Sequence, residues 1–218
     1  MRLAVLVLAL TVAACSADGT GVERRPEPAG APARSRPGAG ERADPGRIVP
    51  AFPLLNQDGR AFTMRDFSGR VLVTTFVFTR CPMPDFCPLM VRHLEAVRER
   101  AGKAGFGDRL ALLGVTLDQA YDTPEVLRAY GESVLKGRDR FERWTLATGS
   151  REQVADVTAY FGVASQNDGG SITHSLMTAV IGHDGRIMRL FPANSWQPDE
   201  LFEVVRLGVE RASAGAAR

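Results

Sequence analysis

The chain has 218 residues, 24% charged and 44% hydrophobic, enough for one ordinary domain plus extra segments. Lys+Arg total 27 and Asp+Glu 25, and residues 48–218 hold 20 of each, so the part able to fold is neutral and a poor electrostatic match for nucleic acid. There is no P-loop and no G-x-G-x-x-G, which argues against nucleotide chemistry.

The chain opens with Arg2 and a 12-residue apolar run from Leu3 to Ala14. That run falls short of the roughly 20 residues a membrane-spanning helix needs, and it reads as a secretory signal over residues 1–14. It ends Val12-Ala13-Ala14-Cys15, which resembles a bacterial lipobox, with cleavage before Cys15 and lipidation of its sulfur. The alternative is a plain secretory signal cut near Ala14. Either way the protein is expected outside the cytosol, where disulfides can form. In residues 16–47, 17 of 32 positions are Pro, Gly or Ala and Val22 is the one large aliphatic residue, so residues 15–47 are expected to form a disordered tether. Such a tether would hold an extracytoplasmic domain near a membrane through Cys15.

From Ile48 the pattern changes. Phe52 to Thr63, with Asn56-Gln57-Asp58-Gly59 in its middle, predicts a hairpin. Val71 to Phe78 is β-branched and aromatic almost throughout, as a strand buried on both faces requires. Residues 88–101 switch to helical period, with Met90, Leu94, Val97 and Ala101 on one face. Leu110 to Leu117 predicts a second buried strand. Thr123-Pro124-Glu125 predicts a capped helix start. A short strand at Trp144–Thr148 and a helix over 151–161 follow. Strands over Leu176–Ile181 and Arg186–Phe191 are joined by the turn signal His183-Asp184-Gly185, and a last helix spans 198–211. Phe52, Phe62, Phe67, Phe76, Phe78, Trp144 and Phe161 are expected in the core. The order predicts an α/β fold: an open sheet with an N-terminal hairpin, an antiparallel edge pair and flanking helices. The domain is expected over residues 48–212, with 213–218 a tail.

The chemistry concentrates at Thr79-Arg80-Cys81-Pro82-Met83-Pro84-Asp85-Phe86-Cys87-Pro88. With Pro88 at the first helical position, Cys87 sits beside the helix N-cap, where free N–H groups and the dipole favour a thiolate. Cys81 falls at the carboxyl end of a strand, where open α/β sheets place ligands. A loop this short can bring both sulfurs to each other or to one metal ion. A purely structural disulfide is the weaker alternative, because so small a loop constrains the unfolded chain little. Of the histidines, His93 reads as a partly exposed helix residue and His183 as a solvated turn residue. His174, after the polar run Ser165 to Ser171, is a loop histidine or a ligand on the residues alone.

Four blocks then carry a resemblance: Phe76-Val77-Phe78-Thr79-Arg80-Cys81-Pro82; Cys87-Pro88; Val115-Thr116-Leu117-Asp118 with Asp122-Thr123-Pro124-Glu125; and Thr173-His174-Ser175 before an apolar strand. In that order they resemble the Sco (SenC) family of copper-binding, respiratory-assembly proteins in the thioredoxin superfamily. The resemblance implies a thioredoxin-like open sheet, copper as Cu(I) and Cu(II), and the ligand set Cys81, Cys87 and His174. It implies a metallochaperone whose partner is the copper-centre subunit of a respiratory oxidase. The alternative is a thiol–disulfide oxidoreductase in which Cys81 and Cys87 cycle and reduce a client's copper-ligand cysteines. A binding module with a redox-inert disulfide is a third reading. Two thiolates and an imidazole form a soft set suited to copper. One departure stands out: the family spacing is C-x3-C, and here it is C-x5-C, with Met83 inside the loop. Asp118 and Asp122 are candidates for supporting the metal ligands or for ordering the surrounding loops, with a helix-dipole role for Asp122 equally open.

Overall fold

The computed structural model describes residues 41–137, 139–168 and 171–216. The signal segment, Cys15 and most of the expected tether lie outside the described residues. The elements are β1 (Pro53–Asn56), β2 (Ala61–Thr63), β3 (Val71–Val77), α1 (Cys87–Lys103), β4 (Leu110–Thr116), α2 (Pro124–Val134), α3 (Arg140–Arg143), β5 (Trp144–Thr148), α4 (Arg151–Tyr160), β6 (Ser165–Asp168), β7 (Ser171–His174), β8 (Met177–Ile181), β9 (Ile187–Pro192) and α5 (Pro198–Ala216).

One sheet runs in the order β2-β1-β5-β4-β3-β8-β9. Its centre, β5-β4-β3, is parallel, and antiparallel pairs flank it on both sides. The sequence foretold one such edge pair, β8–β9. The N-terminal hairpin supplies the other, because β1 joins β5 through Leu55 and Asn56.

The near-continuous apolar run of β3, interrupted by Thr74 and Thr75, has the expected cause. Val71 and Val73 enter a core shared with Met90, Leu94 and Val97 of α1 and Leu201 and Val205 of α5. Leu72 and Phe76 enter the opposite core with Phe52, Val157 and Phe161. All seven β3 residues are buried, as are all seven of β4. Phe62 alone of the expected core aromatics is half-buried, packed edge-on against Phe67 at 5.7 Å. Helix α2 begins as Thr123-Pro124 foretold, with the Thr123 hydroxyl accepting from Val126 N–H at 3.4 Å. Helix α4 carries a reciprocal cap between Ser150 and Gln153.

Three boundaries differ from expectation. Ala43 and Gly46, inside the expected tether, donate backbone hydrogen bonds to Tyr160 and Ile187 at 2.7 Å each. Pro45-Gly46 makes a turn there, which carries no apolar period. Helix α5 runs on to Ala216, through Ala and Ser positions that add no apolar signal. The polar run before His174 forms an antiparallel hairpin, β6–β7, in which Ser165 pairs with His174. Among the described residues no helix is long and apolar enough to cross a membrane.

Candidate metal centre

Strands β3 and β4 lie in parallel register, so their carboxyl ends open side by side. The segment leaving β3 carries Cys81, and the segment leaving β4 carries Asp118 and Asp122. The two are bolted together. Asp122, fully buried, accepts from the Thr79 N–H at 3.1 Å, from the Thr79 hydroxyl, and from the Thr116 hydroxyl at 2.5 Å. Asp118 holds the Arg80 guanidinium, at 2.6 Å from Nη2 and 3.1 Å from Nε, and Arg80 stacks 4.0 Å over the Tyr121 ring. Both aspartates therefore order the loop that presents Cys81. Asp122 stands one residue before the α2 cap, and its carboxylate spends its lone pairs on Thr79 and Thr116. Burial pushes its pKa up, opposed by those hydrogen bonds.

Cys87 is the first residue of α1, after Phe86 at the cap and before Pro88. Both Cys81 and Cys87 are free thiols. Cys81 is half-buried, and its sulfur lies 3.9 Å from the Met83 carbonyl oxygen. It opens on a cleft of about 230 Å3 lined also by Pro88, Val91, Arg92, Tyr130 and Val134. Cys87 is completely buried.

That burial corrects the thiolate expected at the start of the helix. The Cys87 pKa is pushed up to about 12, chiefly by loss of solvent, with the Cys81 sulfur adding to the rise. Hydrogen bonds from the Phe78 and Cys87 backbone oppose it and do not win. Cys87 is thus a thiol at neutral pH, and a metal ion must displace its proton. Tyr130 faces the same sulfurs from α2, and burial followed by their charges raises its hydroxyl pKa.

His174 ends β7. Its Nε2 lies 3.9 Å from the Cys87 sulfur, although 87 residues separate them in sequence. Its Nδ1 lies 3.0 Å from the Ser175 carbonyl oxygen. A carbonyl can only accept, so Nδ1 carries the proton and the Nε2 lone pair points at sulfur. This is the arrangement in which a metal-ligating histidine is oriented by its other nitrogen. The ring packs edge-on against Phe78 at 5.7 Å, and burial lowers its pKa, keeping it neutral.

The structure therefore joins Cys81 to Cys87 and Cys87 to His174. Among the described residues no group of three or more His, Cys, Asp or Glu stands close enough to hold a metal ion as it is. The set is open on the Cys81 side, where the loop is longest. Its donors, two sulfurs and an oriented imidazole, fit a soft ion such as copper. Met83 is 51% exposed and points no closer role. The other histidines stand elsewhere. His183 lies in the β8–β9 turn. His93, read as a partly exposed helix residue, is half-buried, with its ring 5.2 Å from Trp196 and its Nδ1 enclosed. Tyr130 was not singled out in sequence, where it reads as one more position on an amphipathic helix.

Comparison with known proteins gives a consistent result. Residues 40–209 match the model of the SCO1/SenC family. A putative copper-binding protein of Stutzerimonas stutzeri is 30% identical over 148 residues, covering 65% of this chain and 67% of that protein. Bradyrhizobium japonicum ScoI, solved with copper bound, superposes with a TM-score of 0.62 at 23% identity, covering 74% of this chain and 99% of that one. A SCO1/SenC family lipoprotein from Bacillus anthracis superposes with a TM-score of 0.66 at 22% identity, covering 77% and 98%.

Proposed function

The chain belongs to the SCO1/SenC family, and from that footing we propose that it is an extracytoplasmic, membrane-tethered copper carrier that loads the copper-centre subunit of a respiratory oxidase. The observation that carries this reading is the His174 Nε2 lone pair aimed at the Cys87 sulfur at 3.9 Å, its tautomer set by Ser175. Cys81, Cys87 and His174 hold the copper, with the Cys81 loop closing over it. Attachment is through a lipidated Cys15, supported by Val12-Ala13-Ala14-Cys15, and residues between Cys15 and the domain give it reach.

Copper is the cargo, and transfer proceeds by exchange of one ligand at a time. The half-buried Cys81 is the ligand a client can reach, and Cys87 and His174 retain the ion until the client's own ligands take over. The half-buried neutral imidazole of His174 suits Cu(II), and the two sulfurs suit Cu(I).

A second reading draws on the same asymmetry. One sulfur is reachable and the other is buried behind it, as stepwise thiol–disulfide exchange requires. The Cys81 thiolate attacks a client disulfide and releases one client thiol. Cys87 then attacks the mixed disulfide at the Cys81 sulfur and releases the second. Two electrons and two protons pass to the client, and the Cys81–Cys87 disulfide remains.

The two activities exclude each other at any instant, because a disulfide removes both thiolates. Titration of the reduced protein should give one tightly bound copper ion per chain. The Cys81–Cys87 oxidised protein should bind at least about 100-fold more weakly, beyond the usual cost of losing a mere supporting group. Undiminished binding by the oxidised protein would place the ligands elsewhere.

A further inference from the structure

The Cys81–Cys87 loop is two residues longer than the family spacing, and the structure holds it from two sides. Arg92 donates from Nη2 to the Pro84 carbonyl at 3.2 Å. Arg92 belongs to α1, which also carries Cys87, so that bond ties the loop to its own helix. A second bond comes from a distant part of the chain. Asn194 Nδ2 donates to the Asp85 carbonyl at 2.7 Å, across 109 residues.

Asn194 sits in the corner between β9 and α5. The preceding residue, Ala193, donates its N–H to the Leu176 carbonyl at 3.1 Å. Leu176 lies two residues past His174, and Met177 pairs with Pro192 in the sheet. The same corner therefore grips the exit of the His174 strand with its backbone and the Cys loop with its side chain. Ala193 has φ 64°, the one positive φ at a non-glycine position among the described residues. An L-residue stays in that region only where its surroundings fix it. The fixing is visible here: Trp196, 4% exposed, wedges the corner between Phe191 at 5.8 Å and His93 of α1 at 5.2 Å.

We propose that the Ala193–Asn194 corner is a clasp that sets the spacing between the Cys81–Cys87 loop and His174, with Asn194 as the positioning residue. It compensates for the longer loop: five intervening residues leave the loop free to swing away from His174, and the Asn194 bond removes that freedom. The inference rests on the copper reading for its purpose and on the hydrogen bonds of Asn194 and Ala193 for its geometry.

The test uses the full chain as wild type, Asn194→Ala, the isosteric Asn194→Asp that lacks the donor, His174→Ala, and the Asn194→Ala/His174→Ala double variant. Cu(II) affinity is measured by chelator competition. In the metal-free protein the rate of iodoacetamide alkylation is read by mass at Cys87. Both Asn194 variants should bind Cu(II) about fivefold more weakly, the size one hydrogen bond carries. Their Cys87 alkylation should rise by a similar factor. In the His174→Ala background, Asn194→Ala should cost nothing further in Cu(II) affinity, because the distance it sets no longer matters. Asn194 variants that match wild type in both readouts would overturn the clasp, as would an equal loss of affinity with and without His174. A wild type that binds no copper would overturn the proposed function instead, and the clasp would then stand or fall on the alkylation rates.

Discussion

Replacing Cys87 by Ser weakens Cu(I) binding by more than about 100-fold, beyond the 10–100-fold cost of losing a group that merely supports a ligand. Two features set this expectation. Cys87 is the hub of the arrangement, meeting the Cys81 sulfur on one side and His174 Nε2 at 3.9 Å on the other. It is also completely buried, so no water or exogenous thiol easily takes its place. The Ser hydroxyl is a hard donor with little affinity for Cu(I). The fold should survive, because Ser is smaller than Cys and the Phe78 and Cys87 backbone groups that bond the sulfur can bond oxygen. The check is competition against a Cu(I)-specific chelator under anaerobic conditions, with circular dichroism on the same samples. Retention of affinity within tenfold of wild type would remove Cys87 from the ligand set.

The largest loss of stability is expected at Asp122. Its buried carboxylate satisfies the buried Thr116 hydroxyl and the N–H and hydroxyl of the half-buried Thr79. Asp122→Ala leaves these donors without an acceptor and opens a void under the Cys81 loop. Unpaired buried polar groups cost about 1–3 kcal/mol each, with partial relaxation among three of them. The expected destabilisation is about 3 kcal/mol, or a fall of about 6–12 °C in Tm for a domain of this size. Asp122→Asn keeps an acceptor oxygen and should cost about 1 kcal/mol. Urea denaturation of the reduced protein measures both. An Asp122→Ala variant as stable as wild type would show that the strand ends are held by other contacts.

Most of the fold was legible because its period signals are strong. The runs Val71–Val77 and Leu110–Thr116 are packed on both faces, so they are apolar almost throughout, with only Thr74, Thr75 and Thr116 as buried polar positions, and the strands announce themselves. The β6–β7 hairpin was not legible. Ser165-Gln166-Asn167-Asp168 has no apolar alternation, and its pairing is fixed by its neighbours rather than by its own pattern. The site was legible as types and order: two Cys-Pro steps and a histidine before an apolar strand. Its chemistry was not, since the burial of Cys87 depends on Phe78 and His174 closing over it, and local sequence shows only a helix start that favours thiolate. Asp118 and Asp122 could be named but not assigned, because their partners Arg80 and Thr79 are about forty residues away. Asn194 was invisible for the same reason, its partner Asp85 being 109 residues distant.

The central claim is that Cys81, Cys87 and His174 are the copper ligands. X-ray absorption at the copper edge tests it most directly, on the copper-loaded wild type and on His174→Ala. The wild type should require two sulfur scatterers and one imidazole nitrogen, and His174→Ala should lose the nitrogen while keeping both sulfurs. An imidazole shell that persists unchanged in His174→Ala, or a wild-type site without two sulfurs, would contradict the account.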